Sequence, residues 1–228
     1  MTEALKGRAW VSLAVLLVVL IICNLGFAKS NGWARWGWQV FGFVGLFSAF
    51  WLGGLTLSDI GLSRSKLGAG VKYALVAIFL ISIVLLIVYL INSNIFRDKR
   101  YDQPLGTALT AGLLLLPLKV VLFEELAFRG IMPALLKDLG SKPWAILLIS
   151  SVLFGLWHIL TAPKSSSLTV SGHSNLIIIF TIFMATFAGG VALYLLRQYS
   201  DSLVSSIMVH WFVNCSVMIL AALSWVKH

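Results

Sequence analysis

Long apolar blocks alternate with short polar connections along the whole chain. A helix needs about 20 mostly apolar residues to cross a bilayer, and the sequence divides into such units at 9–27, 36–57, 71–91, 107–136, 143–160, 175–196 and 202–226. At ~1.5 Å per residue the fourth block reaches roughly 45 Å, so it must tilt, bend at Pro117 or divide in two. The pattern predicts an all-α, polytopic transmembrane bundle of about seven spans, or eight if that block divides, enclosing an intramembrane polar cavity. The connections carry breakers and charge, and none is long enough to hold a second domain. Residues 1–106 supply N-terminal transmembrane segments and residues 107–228 carry the polar groups discussed below, within one integrated membrane domain.

Composition agrees with that reading. The chain is 60% hydrophobic, only 11% charged and has a mean hydropathy of +0.98, which no ordinary soluble domain of 228 residues shows. Its net charge of +9 resides mainly in connections, where Lys and Arg meet anionic headgroups, so membrane lipids are expected partners. Nucleic acid is excluded as a partner because no contiguous basic patch or soluble domain exists to carry it. Basic residues divide almost evenly between the two faces of a seven-span arrangement and leave the orientation undecided. Cys23 and Cys215 lie far apart in apolar segments and read as packing residues, with no disulfide framework or zinc ribbon available. Lys6 and Arg8 ahead of the first block also fit a signal peptide, with 26–28 as a cleavage site, but the spans that follow favour a signal anchor.

Three polar clusters are stranded inside this hydrophobic background: Glu124, Glu125 and Arg129 in the fourth block, His158 in the fifth, and His210 with Asn214 in the last. Ionisable groups are costly in hydrocarbon and persist there as functional groups facing a cavity or as partners of one another. Counted from the face bearing Lys137, Lys142 and Asp201, Glu124 lies roughly 20 Å deep, His158 roughly 24 Å and His210 roughly 14 Å, all near the middle of a ~30 Å core. A shared intramembrane site is expected. Glu125 and Arg129, four apart with the acid first, share a helix face in the favourable order, whereas Glu124 is rotated about 100° away and is the freer carboxylate. Phe154 lies one turn before His158 and can fix its ring. His210 and Asn214 present an imidazole and a carboxamide on one stripe. Lys119 can snorkel, pair with an acid or line the cavity. His173 falls in the connection 161–174 and needs no special role, and His228 is terminal.

A carboxylate and a histidine flanking a water can take its proton and later protonate a leaving amine, while opposing donors stabilise the tetrahedral oxyanion. Peptide hydrolysis suits this inventory. A serine or cysteine nucleophile suits the inventory less well, Cys215 pointing away from Asn214's face, and no His-Glu-x-x-His helix offers the familiar zinc arrangement. Two other classes compete: a proton-coupled transporter using the same groups as a relay, for which inverted repeats or broken helices are missing, and a silent immunity or scaffold protein.

The ordered set Glu-Glu-x-x-x-Arg, Phe-x-x-x-His and His-x-x-x-Asn on successive apolar blocks, from about Leu113 to Met218, resembles the CAAX protease and bacteriocin-processing (Abi) family of intramembrane proteases. That resemblance implies a membrane-embedded endopeptidase, similar to type II CAAX prenyl endopeptidases, in a bacterial cytoplasmic membrane. In it Glu124 and His158 activate water, Glu125 and Arg129 support the site, and His210 and Asn214 form the oxyanion-stabilising side. It implies a membrane-embedded or lipidated peptide or protein as substrate. No cofactor is required in the first reading; the alternative is zinc, with Glu124, His158 and His210 as a His2Glu ligand set.

Overall fold

A computed structural model describes residues 3–161 and 175–226, and among these there is helix but no strand. The connection over 162–174, with His173, and the terminal His228 lie outside the described residues. Seven long helical segments follow the apolar blocks: α1 (Glu3–Lys29), α2 (Trp33–Gly53), α3 (Leu67–Ile91), α4 (Leu105–Asp138), α5 (Pro143–Thr161), α6 (Asn175–Ser200) and α7 (Leu203–Val226). Five, namely α1, α3, α4, α6 and α7, are long and apolar enough to cross a membrane. The expected seven spans are therefore five full ones and two weaker helices. In α5 the apolar stretch Pro143–Ile159 is shorter. In α2 the cause is composition: Arg35, Gln39 and the amphipathic Trp33, Trp36, Trp38 and Trp51 dilute its apolar character.

The long fourth block neither divides nor breaks. It contains three widened π-helical stretches, Ala111–Leu115, Pro117–Val121 and Leu126–Ile131. A helical proline lacks its N–H and clashes with the carbonyl four residues back. For Pro117 that residue is Leu113 and for Pro133 it is Arg129, and each lies within a π stretch that opens the turn. The helix thus absorbs both prolines by widening. Gly140, at φ 82, closes the end of α4 in the left-handed region, as Gly54, at φ 67, closes α2 by donating to Phe50 and Trp51 carbonyls.

Between apolar helices in lipid the hydrophobic effect gives little net drive, so close packing and interhelical hydrogen bonds must hold the bundle. Both are visible. A Cβ on Gly45 would fall 2.5 Å from the Val19 methyls, which locks α2 against α1, and a Cβ on Gly42 would meet Phe123 at 2.6 Å and Cys23 at 3.1 Å. Ser12 donates to the Ala49 carbonyl and Ser150 to that of Phe128, inside the third π stretch. One core joins α1, α2, α4 and α5 through Leu16, Cys23, Leu46, Phe123, Met132 and Trp157, and a smaller one joins α3, α6 and α7 through Ala74, Leu193 and Val209. Both cysteines are free and buried. The outer face of α3 is apolar and bare, with Phe79 63% and Ile91 78% exposed, as a lipid-facing helix requires. At one end of the bundle Leu203 donates to the Gly61 carbonyl at 2.7 Å, and Lys66 pairs with Asp201 at 3.2 Å, tying the α2–α3 connection to the α6–α7 corner.

Candidate active site

The α4 turn Leu122–Glu125 stands between two π stretches and aims both carboxylates inward, where Glu124 is 5% and Glu125 0% exposed. Glu125 Oε1 accepts from Arg129 Nη1 at 3.0 Å, and the same oxygen lies 2.8 Å from His210 Nδ1. Arg129 also places its guanidinium carbon 3.8 Å from the centre of the Phe154 ring. The pair anticipated within one helix is in fact a three-way junction of α4, α5 and α7.

Glu124 is held differently. Its Oε1 accepts from Trp157 Nε1 at 2.9 Å. Its Oε2 has no hydrogen-bond partner and faces His158 Nε2 at 3.8 Å and His210 Nε2 at 3.7 Å. The far nitrogen of each ring is occupied: His158 Nδ1 lies 2.8 Å from the Phe154 carbonyl, and His210 Nδ1 meets Glu125. A carbonyl or carboxylate oxygen can only accept, so Nδ1 carries the proton in both rings. In neutral rings the two Nε2 lone pairs then converge with Oε2 on one spot. Three acceptors around one spot need a donor between them, and a water molecule supplies two protons.

The same convergence bears on zinc. A tetrahedral site with bonds of ~2.0–2.1 Å spaces its ligand atoms about 3.4 Å apart, less than the 3.7 Å and 3.8 Å found. Among the described residues no group of three or more His, Cys, Asp or Glu is arranged to hold a metal ion.

A cavity of about 570 Å³ reaches this cluster. Glu124, Trp157, His158 and Asn214 line its depth; Arg35, Trp36, Lys119, Asp98 and Tyr101 line it toward the end of the bundle where α2 begins and α4 has its first turns. Lys119 lies with its ammonium 4.2 Å from the Trp36 ring centre, so of the three fates open to it in sequence it lines the cavity. Phe154 fixes His158 as its spacing suggested, with ring centres 4.5 Å apart as well as the carbonyl contact. A groove of about 630 Å³ beside Arg8 and Trp51 contains no acid or histidine and lies away from this cluster.

All six sequence candidates meet here: Glu124, His158 and Asn214 on the cavity, with Glu125, Arg129 and His210 beside or behind them. Sequence reasoning gave the first two helices no role beyond spanning the membrane and missed their contribution. Asn24 Nδ2 donates to the Trp157 carbonyl at 2.7 Å, and Gln39 and Arg35 line the cavity. The signal was present, since Asn24 and Gln39 are amides stranded in apolar runs just as Asn214 is. Trp157 gave none, because a tryptophan in an apolar block reads as packing.

No curated protein and no solved structure matches the chain. A protein-family model does: the one described as Rce1-like, type II CAAX prenyl endopeptidase Rce1-like, matches residues 106–216, a stretch containing all six candidates. With several apolar helices capable of crossing a membrane and this match, the protein is an integral membrane protein whose residues 106–216, just under half of the chain, are similar to the Rce1-like family, a family of proteases.

Proposed function

We propose that the protein is an intramembrane endopeptidase that hydrolyses peptide bonds in membrane-embedded or lipidated peptides with water activated by Glu124 and His158. One observation carries the reading: Oε2 of Glu124 is the unpartnered member of a carboxylate whose other oxygen is tied to Trp157, and two imidazole Nε2 atoms face it at 3.7 Å and 3.8 Å. Water placed there donates one proton to Oε2 and the other to His158 Nε2. As its oxygen adds to the scissile carbonyl, one proton passes to Glu124 and the carbonyl electron pair moves onto oxygen. Asn214, one turn beyond His210 on the cavity wall, donates its carboxamide N–H to that oxyanion, while His210, with its proton on Nδ1, turns an Nε2 lone pair toward the water beside Glu124. Collapse breaks the C–N bond, and the proton held by Glu124 goes to the departing amine, which restores the carboxylate. Glu125 and Arg129 act through His210 by holding its Nδ1. No step in this reading needs a metal ion.

The test is a comparison of membrane peptidomes from cells carrying the native protein and Glu124→Gln. Peptides present only with the native protein, with Glu124→Gln accumulating at the native level and unfolding at the native midpoint, are expected. Identical peptidomes, or full cleavage by Glu124→Gln, overturn the reading.

A further inference from the structure

Trp157 is enclosed by aromatic rings, and its one side-chain polar atom points at the carboxylate assigned to water. It is 7% exposed, with the Phe123, Phe128 and Phe27 rings centred 5.8, 6.0 and 6.2 Å from its own. Asn24 of α1 donates from Nδ2 to the Trp157 backbone carbonyl at 2.7 Å, and Trp157 Nε1 donates to Glu124 Oε1 at 2.9 Å. Packing and the α1 amide thus hold the indole from behind, and the indole holds one oxygen of Glu124. Asn24 is costly where it stands. It is 4% exposed and its Oδ1 has no hydrogen-bond partner, a desolvation penalty that an apolar side chain of the same shape would avoid. The bond from Nδ2 to Trp157 offsets that penalty.

We infer that Trp157 is a positioning residue for hydrolysis and that Asn24 serves it, so that α1, outside the stretch similar to the protease family, takes part in setting the carboxylate. The inference rests on the hydrolytic reading for its effect on rate; the contacts themselves do not depend on it. The last torsion of a glutamate is broad and roughly two-fold, so an unrestrained Glu124 would turn freely and exchange its two oxygens. The indole N–H can only donate. Bonded to Oε1, it leaves Oε2 aimed between His158 Nε2 at 3.8 Å and His210 Nε2 at 3.7 Å, where the water stands. It also makes Oε1 the poorer place for a proton. As the water oxygen adds to the scissile carbonyl, the proton it loses goes to Oε2; as the C–N bond breaks, that proton leaves Oε2 for the amine. A proton that moved to Oε1 would face the indole and could not reach the amine. Trp157 therefore aims the base and keeps the transferred proton on the oxygen that can deliver it. Both effects belong to the chemical step and not to substrate binding.

The experiment removes the N–H and keeps the ring. Protein with benzothienylalanine at position 157, in which sulfur stands for the indole N–H, is compared in nanodiscs with native protein, Trp157→Phe, Asn24→Leu and Glu124→Gln. The substrate is an N-acylated, internally quenched hexapeptide, the member of a randomised set that the native protein cuts fastest. The benzothienylalanine protein should unfold at the native midpoint and lose kcat by about tenfold to a hundredfold at unchanged KM, the effect of one hydrogen bond to a charged group. Asn24→Leu should lose kcat by about twofold to tenfold, the effect of a neutral one, again at native KM. The contact is also read directly. The indole N–H resonance of Trp157, assigned by its absence in Trp157→Phe, should move upfield in Glu124→Gln, where a neutral hydrogen bond replaces a charge-assisted one. Native kcat in the benzothienylalanine protein, a loss confined to KM, or an indole resonance indifferent to Glu124→Gln overturns the positioning role. Where Glu124→Gln abolishes cleavage and the benzothienylalanine protein keeps it, that role falls and the hydrolytic reading stands. Where the native protein cuts no member of the set, or Glu124→Gln cuts as fast as native, the hydrolytic reading falls and takes the role with it.

Discussion

Replacing Arg129 by alanine removes the cation from a fully buried carboxylate. Glu125 and Arg129 are both 0% exposed and joined at 3.0 Å, and breaking such a pair by deleting one partner costs about 3–5 kcal/mol. Two features move the expectation within that range. His210 Nδ1 remains 2.8 Å from the same oxygen and keeps the carboxylate partnered, while Arg129 Nε and Nη2 are themselves buried without partners, so deletion also removes a standing penalty. Both lower the cost. Loss of the stack on Phe154 adds about 1 kcal/mol back. We expect about 3 kcal/mol, measured as the shift in unfolding free energy on denaturing-detergent titration of the purified protein. The double variant Arg129→Met with Glu125→Leu should recover to within about 1 kcal/mol of native, because an apolar pair substitutes well for a buried ion pair. It should nonetheless be inactive, having deprived His210 of its Nδ1 acceptor. An Arg129→Ala protein within about 1 kcal/mol of native stability would refute the claim that this pair holds α4, α5 and α7 in place.

The other expectations follow from the catalytic assignment. Asn214→Ala removes one oxyanion donor and leaves every ionisable group untouched, so turnover should fall by roughly 10² to 10³ with little change in substrate affinity; native turnover with lost affinity would make Asn214 a recognition residue. Purified protein should keep its peptidase activity after prolonged exposure to a strong chelator and contain well under one zinc per chain by elemental analysis. Stoichiometric zinc whose removal abolishes activity and whose return restores it would replace water activation by Glu124 and His158 with a metal centre on Glu124, His158 and His210.

The site was more legible in the sequence than the span count was, and the reason is physical. Ionisable groups inside apolar blocks are few, and their depth follows from helix rise alone, so Glu124, His158 and His210 were placed at one level before any packing was known. The contacts near 3.7 Å realise that level. Spans are harder to count, because α2 has the length of a crossing helix while its tryptophans and glycines lower its hydropathy. The rotation of Glu124 away from Glu125 was argued for an ideal α-helix. In the protein the two carboxylates sit on one short α turn, with π stretches on either side that depend on Pro117 and Pro133.

What the sequence concealed most fully is the division of labour between the two halves. The family match and all six proposed catalytic groups fall within 106–216, yet Asn24 braces Trp157 from α1, and Arg35 and Gln39 enter the cavity from α2. Helices outside the matched segment thus supply polar groups to the cavity wall rather than inert hydrophobic support. Polar side chains in lipid-embedded helices are retained where they face a cavity or a partner, and Gln39, buried and unpartnered in α2, satisfies the first condition and not the second. A donor at that position finds its acceptor in whatever fills the cavity, water included. The chemistry proposed for α4, α5 and α7 therefore works in a cavity whose wall α1 and α2 complete, with Lys119 on the shared helix α4.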